Sequence, residues 1–552
     1  MSIHAIYQLL PRLFGNIGGK NTPSGSIEDN GCGKMDSITP QVLRRIKSFG
    51  YSHVWYTGLL EHATKTDYSR YGIATDHPAV VKGTAGSPYA IKDYYDIDPD
   101  LATDPAQRMA EFENLVARTH QAGLKVIIDF VPNHVARQYH SDAHPAGVAD
   151  LGADDDMTRA FSADNNFYYI PNERLHCDNF CPGADYMESP AKATGNDRFD
   201  AWPDRNDWYE TIKLNYGVDY VGGRVHHFNP IPNTWKKMTD ILLFWCGKGI
   251  DAFRCDMAEM VPVDFWHYAT AAVKEQYPHI EFVAEVYDPN QYRNYIHYGG
   301  FDYLYNKVGL YDTLRAVMRH EASASAITSE WQKVDDIRSH MLNFLENHDE
   351  QRIASDFFSG TAQAGFPAFI VCALLDRAPV MLYAGQELGE RGMDAEGFSG
   401  RDGRTTIFDY WCVDSLRKLC KGKKSFTKSE RALYDTYERI VSMSGRDIVT
   451  QGENYDLMYA NYGDTCVFDY HHLFAFIRRH GSETLLVVVN FDEKEHQTRL
   501  TIPAHAFDFL KMKEGKYTAK DLLTDTDVQI TLKRYGITEI TVPAQSGVVL
   551  EF

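Results

Sequence analysis

The sequence predicts a (β/α)8 barrel, enlarged by a domain inserted after its third strand and followed by an antiparallel β-sandwich. Three observations lead there. Short apolar runs alternate with amphipathic helical stretches over about the first 445 residues, which is the rhythm of a parallel barrel. Between Asn133 and Asn233 the chain loses strong periodicity and becomes rich in Asp, Asn, Gly, Trp and Tyr. A stretch that long within a barrel is a functional loop or a small domain. Beyond about Gly445 the helical period stops and strand-like runs take over.

The candidate strands, in order, are HAIYQLL (4–10), HVWY (53–56), KVIIDFV (125–131), GIDAFRCD (249–256), IEFVAEV (280–286), FDYLYN (301–306), MLNFLENH (341–348) and PVMLYAG (379–385). Helical patterns such as ITPQVLRRIKSFG and AQRMAEFENLVARTHQAG stand between them. A doubly wound sheet would place G-x-G-x-x-G after the first strand, and LLPRLFGNIGG lacks that spacing. The barrel is expected over 1–132 and 234–445, the insert over 133–233 and the sandwich over 446–552. The sandwich rests on VFDYHHLFAFIRR, TLLVVVNF, TRLTIP, DVQITL and TEITVPAQSGVVLEF.

A chain of 552 residues exceeds a single core, so two or three domains are expected. Its net charge of −20 leaves no basic footprint for nucleic acid and disfavours an anionic membrane surface. A neutral polymer such as a polysaccharide is not repelled. The 34 Tyr, 29 Phe and 8 Trp supply core and, at some positions, platforms for sugar rings. No apolar run reaches spanning length. The N-terminus lacks the pattern of a signal peptide, and nine scattered cysteines fit reduced thiols better than a disulfide framework. A cytoplasmic location is expected, or a periplasmic or secreted one if a leader has been removed. The oligomeric state is left open.

The chemistry collects at strand ends, where a barrel of this kind carries its catalytic groups. The third strand ends in DFVPNH, the fourth in FRCD, the fifth in AEVYD and the seventh in FLENHD. Side chains alternate along a strand, so Arg254 and Asp256 share a side. One arginine and the carboxylates Asp256, Glu285 and Asp349 therefore converge. Glycosidic cleavage passes through an oxocarbenium-like state and needs one carboxylate at the anomeric carbon and one carboxylic acid at the leaving oxygen. Arg254 is expected to keep Asp256 ionised, and crowding by other carboxylates to keep Glu285 protonated. A lone Asp at a strand end is more often a cap or an ion pair; four such ends together are hard to reach that way.

The segments DFVPNH, GIDAFRCD, EVYD and FLENHD resemble the α-amylase family, with IKLN (212–215) a weaker fifth, and the order of barrel, insert and β domain agrees. The resemblance implies Asp256 as nucleophile, Glu285 as acid/base and Asp349 as the group gripping sugar hydroxyls. It implies that Arg254, His134 and His348 frame the same subsite and that Tyr89, in PYAIKDYYDIDP, is the aromatic platform under the sugar. The expected activity is retaining hydrolysis of α-1,4-glucosidic bonds in an α-glucan or oligosaccharide. The alternatives are a transglycosylase using the same covalent intermediate, or an inactive glucan-binding homologue, against which the complete carboxylate set counts. No cofactor is expected. Many relatives hold calcium through the asparagine of the first segment, an acid in the fifth, and a group just after the nucleophile. Asn133 is present, but Lys213 stands where the acid would fall, and Met257, Ala258, Glu259 and Met260 follow the nucleophile without a Lys-His pair. His176, Cys177 and Cys181 lack a second ligand pair at zinc spacing, and no role is assigned to Arg401, Asp402 or Arg404.

Overall fold

The computed structural model describes residues 3–18, 20–463 and 467–552; Cys466 lies outside them, and the eight described cysteines are free thiols. Eight strands form a closed parallel barrel: β1 (Ala5–Leu9), β2 (His53–Tyr56), β3 (Lys125–Phe130), β4 (Ala252–Cys255), β5 (Glu281–Ala284), β6 (Tyr303–Tyr305), β7 (Met341–Phe344) and β8 (Val380–Tyr383). Each falls inside the apolar run expected for it. β8 pairs back onto β1, with Ala5 opposite Val380.

Strand alternation decides what fills the barrel. Ile6, Trp55, Ile127, Ala252, Val283, Leu342, Phe344 and Met381 form one buried cluster that excludes the outward-facing residues of the same strands. Two residues on from Ala252 and Ile127, the period-2 pleat turns Arg254 and Asp129 the same way, one level higher. The interior is thus apolar below and ionic at its C-terminal mouth.

The first long helix, α1 (Pro40–Phe49), shows how the outer layer is specified. Thr39 caps it by accepting from the Val42 N–H, Pro40 stands at its first position, and Gly50 ends it at φ +119°. Val42, Leu43, Ile46 and Phe49 give it one buried face. The next helices are α2 (Arg108–Gln121), α3 (Asn233–Gly247), α4 (Val263–Gln276), α5 (Tyr292–His297) and α6 (Asp312–Met318). Then come α7 (Gly365–Leu374) and α8 (Lys428–Ser444). Every residue of α7 is buried. An all-round apolar helix must be covered on all sides, and α7 lies between the barrel and the C-terminal β domain.

The insert follows β3 and is built of short ribbons: His134–Ala136 pairs with Thr211–Lys213, and Tyr169–Ile170 with Ala191–Lys192. Its apolar cluster of Leu175, Phe180, Tyr186 and Tyr209 also takes in Ala79 and Val80 from the β2–α2 connection. The insert therefore shares its core with a barrel loop.

The C-terminal β domain has a six-stranded sheet and a two-stranded one. Two of its strands, β9 (Leu473–His480) and β10 (Glu483–Asn490), form a long antiparallel hairpin. Arg478 on β9 is 1% exposed and points at the barrel. Its guanidinium donates to the carbonyls of Leu375 at 3.1 Å, Ile448 at 3.2 Å and Gly452 at 3.0 Å, and to that of Val449. Arg478→Met should leave these carbonyls buried and unpartnered, a cost of about 3 kcal/mol, read as a lower midpoint in urea unfolding. A midpoint within error of wild type would show that the domains dock without it.

Candidate active site

The barrel mouth is organised around one guanidinium. Arg254, 1% exposed, donates from Nη1 to Asp256 Oδ1 at 2.7 Å and from Nη2 to Glu285 Oε2 at 2.7 Å. Its Nε donates to the Tyr305 hydroxyl at 3.1 Å, and Asp129 Oδ1 stands 3.6 Å from Nη1. Charged acceptors on three sides hold it protonated, against the desolvation that opposes charge.

Both carboxylates sit just past a strand end yet stay pinned by the sheet. The Asp256 N–H donates to Phe130 O at 2.9 Å and the Glu285 N–H to Cys255 O at 3.1 Å. Met257, in the left-handed region at φ +42°, aims its N–H at Glu285 Oε2, 2.9 Å away. The Tyr287 hydroxyl donates to the other oxygen of Glu285. Asp349 lies beyond β7, its N–H donating to Asn347 Oδ1 at 2.9 Å and its carbonyl accepting from Arg404 Nε at 2.6 Å. Arg404 thus holds the backbone of this residue.

Electrostatically, three carboxyls share one cation. Burial, together with the charges of Glu285 and Asp349, raises the pKa of Asp256, and Arg254 opposes this. Desolvation and then the Glu285 charge bring Asp349 to about 7, although 43% of its side chain is open to the cleft and solvent there screens part of the effect. Burial brings Asp129 to about 6. One expectation is corrected here. Arg254 does not leave Asp256 an ordinary ionised carboxylate, because desolvation outweighs it. Glu285 accepts hydrogen bonds from Arg254, Met257 and Tyr287.

The remaining residues line or support the same place. A cleft of about 380 Å³ is bounded by Asp256, Glu285, Asp349, Tyr89, His134 and Tyr287, with Trp208, Glu210 and Phe408 along its sides. Tyr89 stacks on His348 with ring centroids 5.1 Å apart, and its hydroxyl bonds to the imidazole Nε2. The Gln8 amide meets His348 Nδ1 at 2.9 Å. His348, buried and beside Arg254, has its pKa pushed well below 6.5. His134 is lowered to about 3 by burial and by Lys213. Both rings are therefore neutral at pH 7. All seven residues expected in the site gather here, Arg254 and His348 beneath the cleft wall. Reading the sequence did not assign Asp129, Tyr287 or Tyr305. Asp129 stands inside DFVPNH and Tyr287 inside EVYD, so both lay within segments already singled out.

Lys213 stands beside the site. Only 2% exposed, its ammonium lies 2.6 Å from Asp197 Oδ1 and 3.3 Å from Met260 O, and it also donates to Asn133 Oδ1. These three oxygens face a monovalent side-chain cation, and with the ammonium among them they do not fit a calcium ion, which needs about 6–8 oxygen ligands. Among the described residues, His176, Cys177 and Cys181 form no metal-ligating cluster; His176 stacks on Trp202 with ring centroids 3.4 Å apart.

Known proteins share this fold. The model of the α-amylase catalytic domain matches residues 8–448. Alpha-amylase 3 of Dictyoglomus thermophilum is 24% identical over 374 residues, covering 64% of this chain and 66% of that protein. The cyclomaltodextrin glucanotransferase of Bacillus licheniformis is 22% identical over 410 residues, 70% of this chain and 49% of that protein. The chain thus spans between about half and two thirds of the length of these relatives. In three dimensions it resembles the maltogenic α-amylase AmyB of Thermotoga neapolitana, with a TM-score of 0.63 at 19% identity over 100% of this chain and 98% of that one. A family match over four fifths of the sequence, together with the barrel and its ring of carboxylates, decides the assignment: the chain belongs to the α-amylase family of glycoside hydrolases.

Proposed function

We propose that the protein is a retaining hydrolase of α-1,4-glucans. In this reading Asp256 attacks the anomeric carbon. Glu285 first protonates the leaving oxygen and then activates water, and Asp349 binds the sugar hydroxyls. The observation that carries it is the bridge from Arg254 to Asp256 and Glu285. A retaining pair stands about 5–5.5 Å apart and an inverting pair about 6.5–9.5 Å; two carboxylates on the two terminal nitrogens of one guanidinium favour the closer class. Tyr89, over neutral His348, offers an aromatic face to the sugar, while neutral His134 can hydrogen-bond hydroxyls without adding charge.

Transfer to a second glucan uses the same intermediate. The likeness to a glucanotransferase supports it, as do Trp208, Tyr287 and Phe408, which could hold an acceptor sugar where hydrolysis needs water.

Asp256→Asn should lower turnover of maltooligosaccharides at least about 10²–10⁴-fold, the usual scale for a lost acid or base, in a protein that still folds. NMR of the first wild-type product should show the α-anomer before mutarotation. A variant retaining a tenth of wild-type activity, or a β-anomer appearing first, would overturn the mechanism.

The pH profile follows from the shared cation. Asp256 must be ionised to attack, and its raised pKa places the ascending limb of kcat/KM above the ordinary carboxylate range. Asp349→Asn deletes one negative neighbour, which favours the ionised nucleophile. The residual activity of that variant should therefore rise at lower pH than wild type. A limb that stays in place, or moves upward, would show that these two carboxyls do not share the titration.

The calcium site of many relatives is, in this reading, replaced by the Lys213 ammonium, and catalysis needs no ion there. Lys213→Met should cost about 3–5 kcal/mol by leaving Asp197 and Asn133 without their cation, less where solvent reaches Asp197, and equally in EDTA and in calcium. The wild-type rate, measured well below melting, should be unchanged by chelation. A rate abolished by EDTA and restored by calcium alone would refute this.

A further inference from the structure

We propose that Glu61, Asp96 and Asp142 form a calcium site that fastens the inserted domain to the barrel, distinct from the place filled by Lys213. Glu61 lies on Leu60–His62, just after β2, and pairs opposite Asp93 on Ile91–Ile97. It is 1% exposed, and neither of its carboxylate oxygens has a hydrogen-bond partner. An unpaired buried carboxyl is costly whether charged or neutral. One ligand oxygen from each of Glu61, Asp96 and Asp142 lies within 4.8 Å of the other two. None approaches Glu61 closely enough to share a proton with it, yet three oxygens within 4.8 Å of one another have a common point no more than about 2.8 Å from each, close to the calcium–oxygen range of about 2.3–2.6 Å. A small inward shift of the carboxylates lets one ion touch all three.

The neighbouring cations do not meet this demand. Lys92 is committed to Asp76 at 3.0 Å. Arg108 is committed to Asp96 Oδ2 at 2.9 Å through Nε, which leaves Asp96 lone pairs for a metal but gives nothing to Glu61. Asp93 is also spent: it accepts from Ser141 Oγ at 2.6 Å and from the N–H groups of Asp142 and Ala143 at 2.9 Å each. It thereby brings the Asp142 loop of the insert up to Glu61. Burial and the charges of Asp93, Asp142 and Asp96 raise Glu61 to about 9, a penalty that a divalent cation would remove. All the donors are carboxylate oxygens, which select hard cations. Asp142, exposed, leaves room for the waters that would complete about 6–8 ligands. The ion would fix the ribbon Ile91–Ile97 to the insert loop that carries Asp142.

The test is calorimetric titration of calcium chloride into the whole protein after EGTA stripping, with melting curves alongside. Wild type should bind one calcium with a Kd of about 10⁻⁵–10⁻³ M, within the range of carboxylate sites, and melt a few degrees higher when calcium exceeds Kd about 100-fold. Glu61→Gln should abolish both responses and, as a neutral group of the same shape as the protonated acid, melt no lower than the calcium-free wild type. Asp142→Asn, an exposed change that spares the core, should weaken binding at least about tenfold, and Lys213→Met should leave it unchanged. Absence of heat and of any melting shift in wild type would mean that Glu61 is a neutral buried acid, overturning the proposal. Binding that survives both Glu61→Gln and Asp142→Asn would overturn it too. Magnesium bound more tightly than calcium would overturn the choice of ion.

Discussion

The buried guanidinium of Arg254 is the constraint on which the active end of the barrel depends. Three carboxyls and Asp129 could not be gathered in a low-dielectric mouth without a fixed positive charge, because like charges at such separations repel strongly when water is excluded. Lysine would not serve as well. A guanidinium offers several donors in a rigid plane, and Arg254 uses them to reach Asp256, Glu285 and Tyr305 at once. Because the arginine projects from inside β4, the positions of Asp256 and Glu285 are set by the barrel wall, whereas Asp349 is placed by the loop after β7. The aromatic rings of Trp55, Tyr89 and Tyr305 lie 5.3–5.5 Å from its central carbon, which adds attraction and keeps water away.

What could be read from the sequence tracks what is periodic. The eight strands announced themselves because a strand inside a ring of helices is apolar on both faces. The polar residues that interrupt such runs at their C-terminal ends stand out for the same reason. Asp256, Glu285 and Asp349 were legible on that ground, and Tyr89 through the stretch it sits in. Tyr287 was not, since its place follows from a loop whose course no repeat encodes. Protonation was misjudged for a related cause. Arg254 beside Asp256 reads as a simple pair in sequence, whereas in space the same cation serves Glu285 as well, and burial raises what the pair would lower.

The inserted domain borrows Ala79 and Val80 from the barrel for one cluster and places Leu151, Phe167, Ile212, Leu214 and Tyr216 in the main core of the barrel. Two ionic margins add to this apolar attachment, and they differ. At one, Lys213 meets Asn133, Asp197 and Met260 O, so the chain supplies the cation itself. At the other, Glu61 and its acidic neighbours form an anionic cluster whose nearby cations are already committed. An ammonium placed by a strand asks nothing of the medium, while a cluster short of positive charge makes the second margin respond to ion concentration.

The backbone just after the nucleophile completes the design. A residue other than glycine at positive φ costs about 1–2 kcal/mol, and Met257 holds that conformation although glycine could adopt it freely. The kink redirects a main-chain N–H away from the ladder and onto Glu285. Glu285 is therefore held by three donors of different kinds: a guanidinium, a phenol and an amide. A carboxyl that must donate a proton in one half of a reaction and accept one in the next has to keep its place while its charge changes. Of its three partners only the phenol can turn to accept once Glu285 carries the proton; the amide and guanidinium fix its position throughout. Strain at Met257 is thus best understood as the cost of fixing the carboxyl independently of its protonation state.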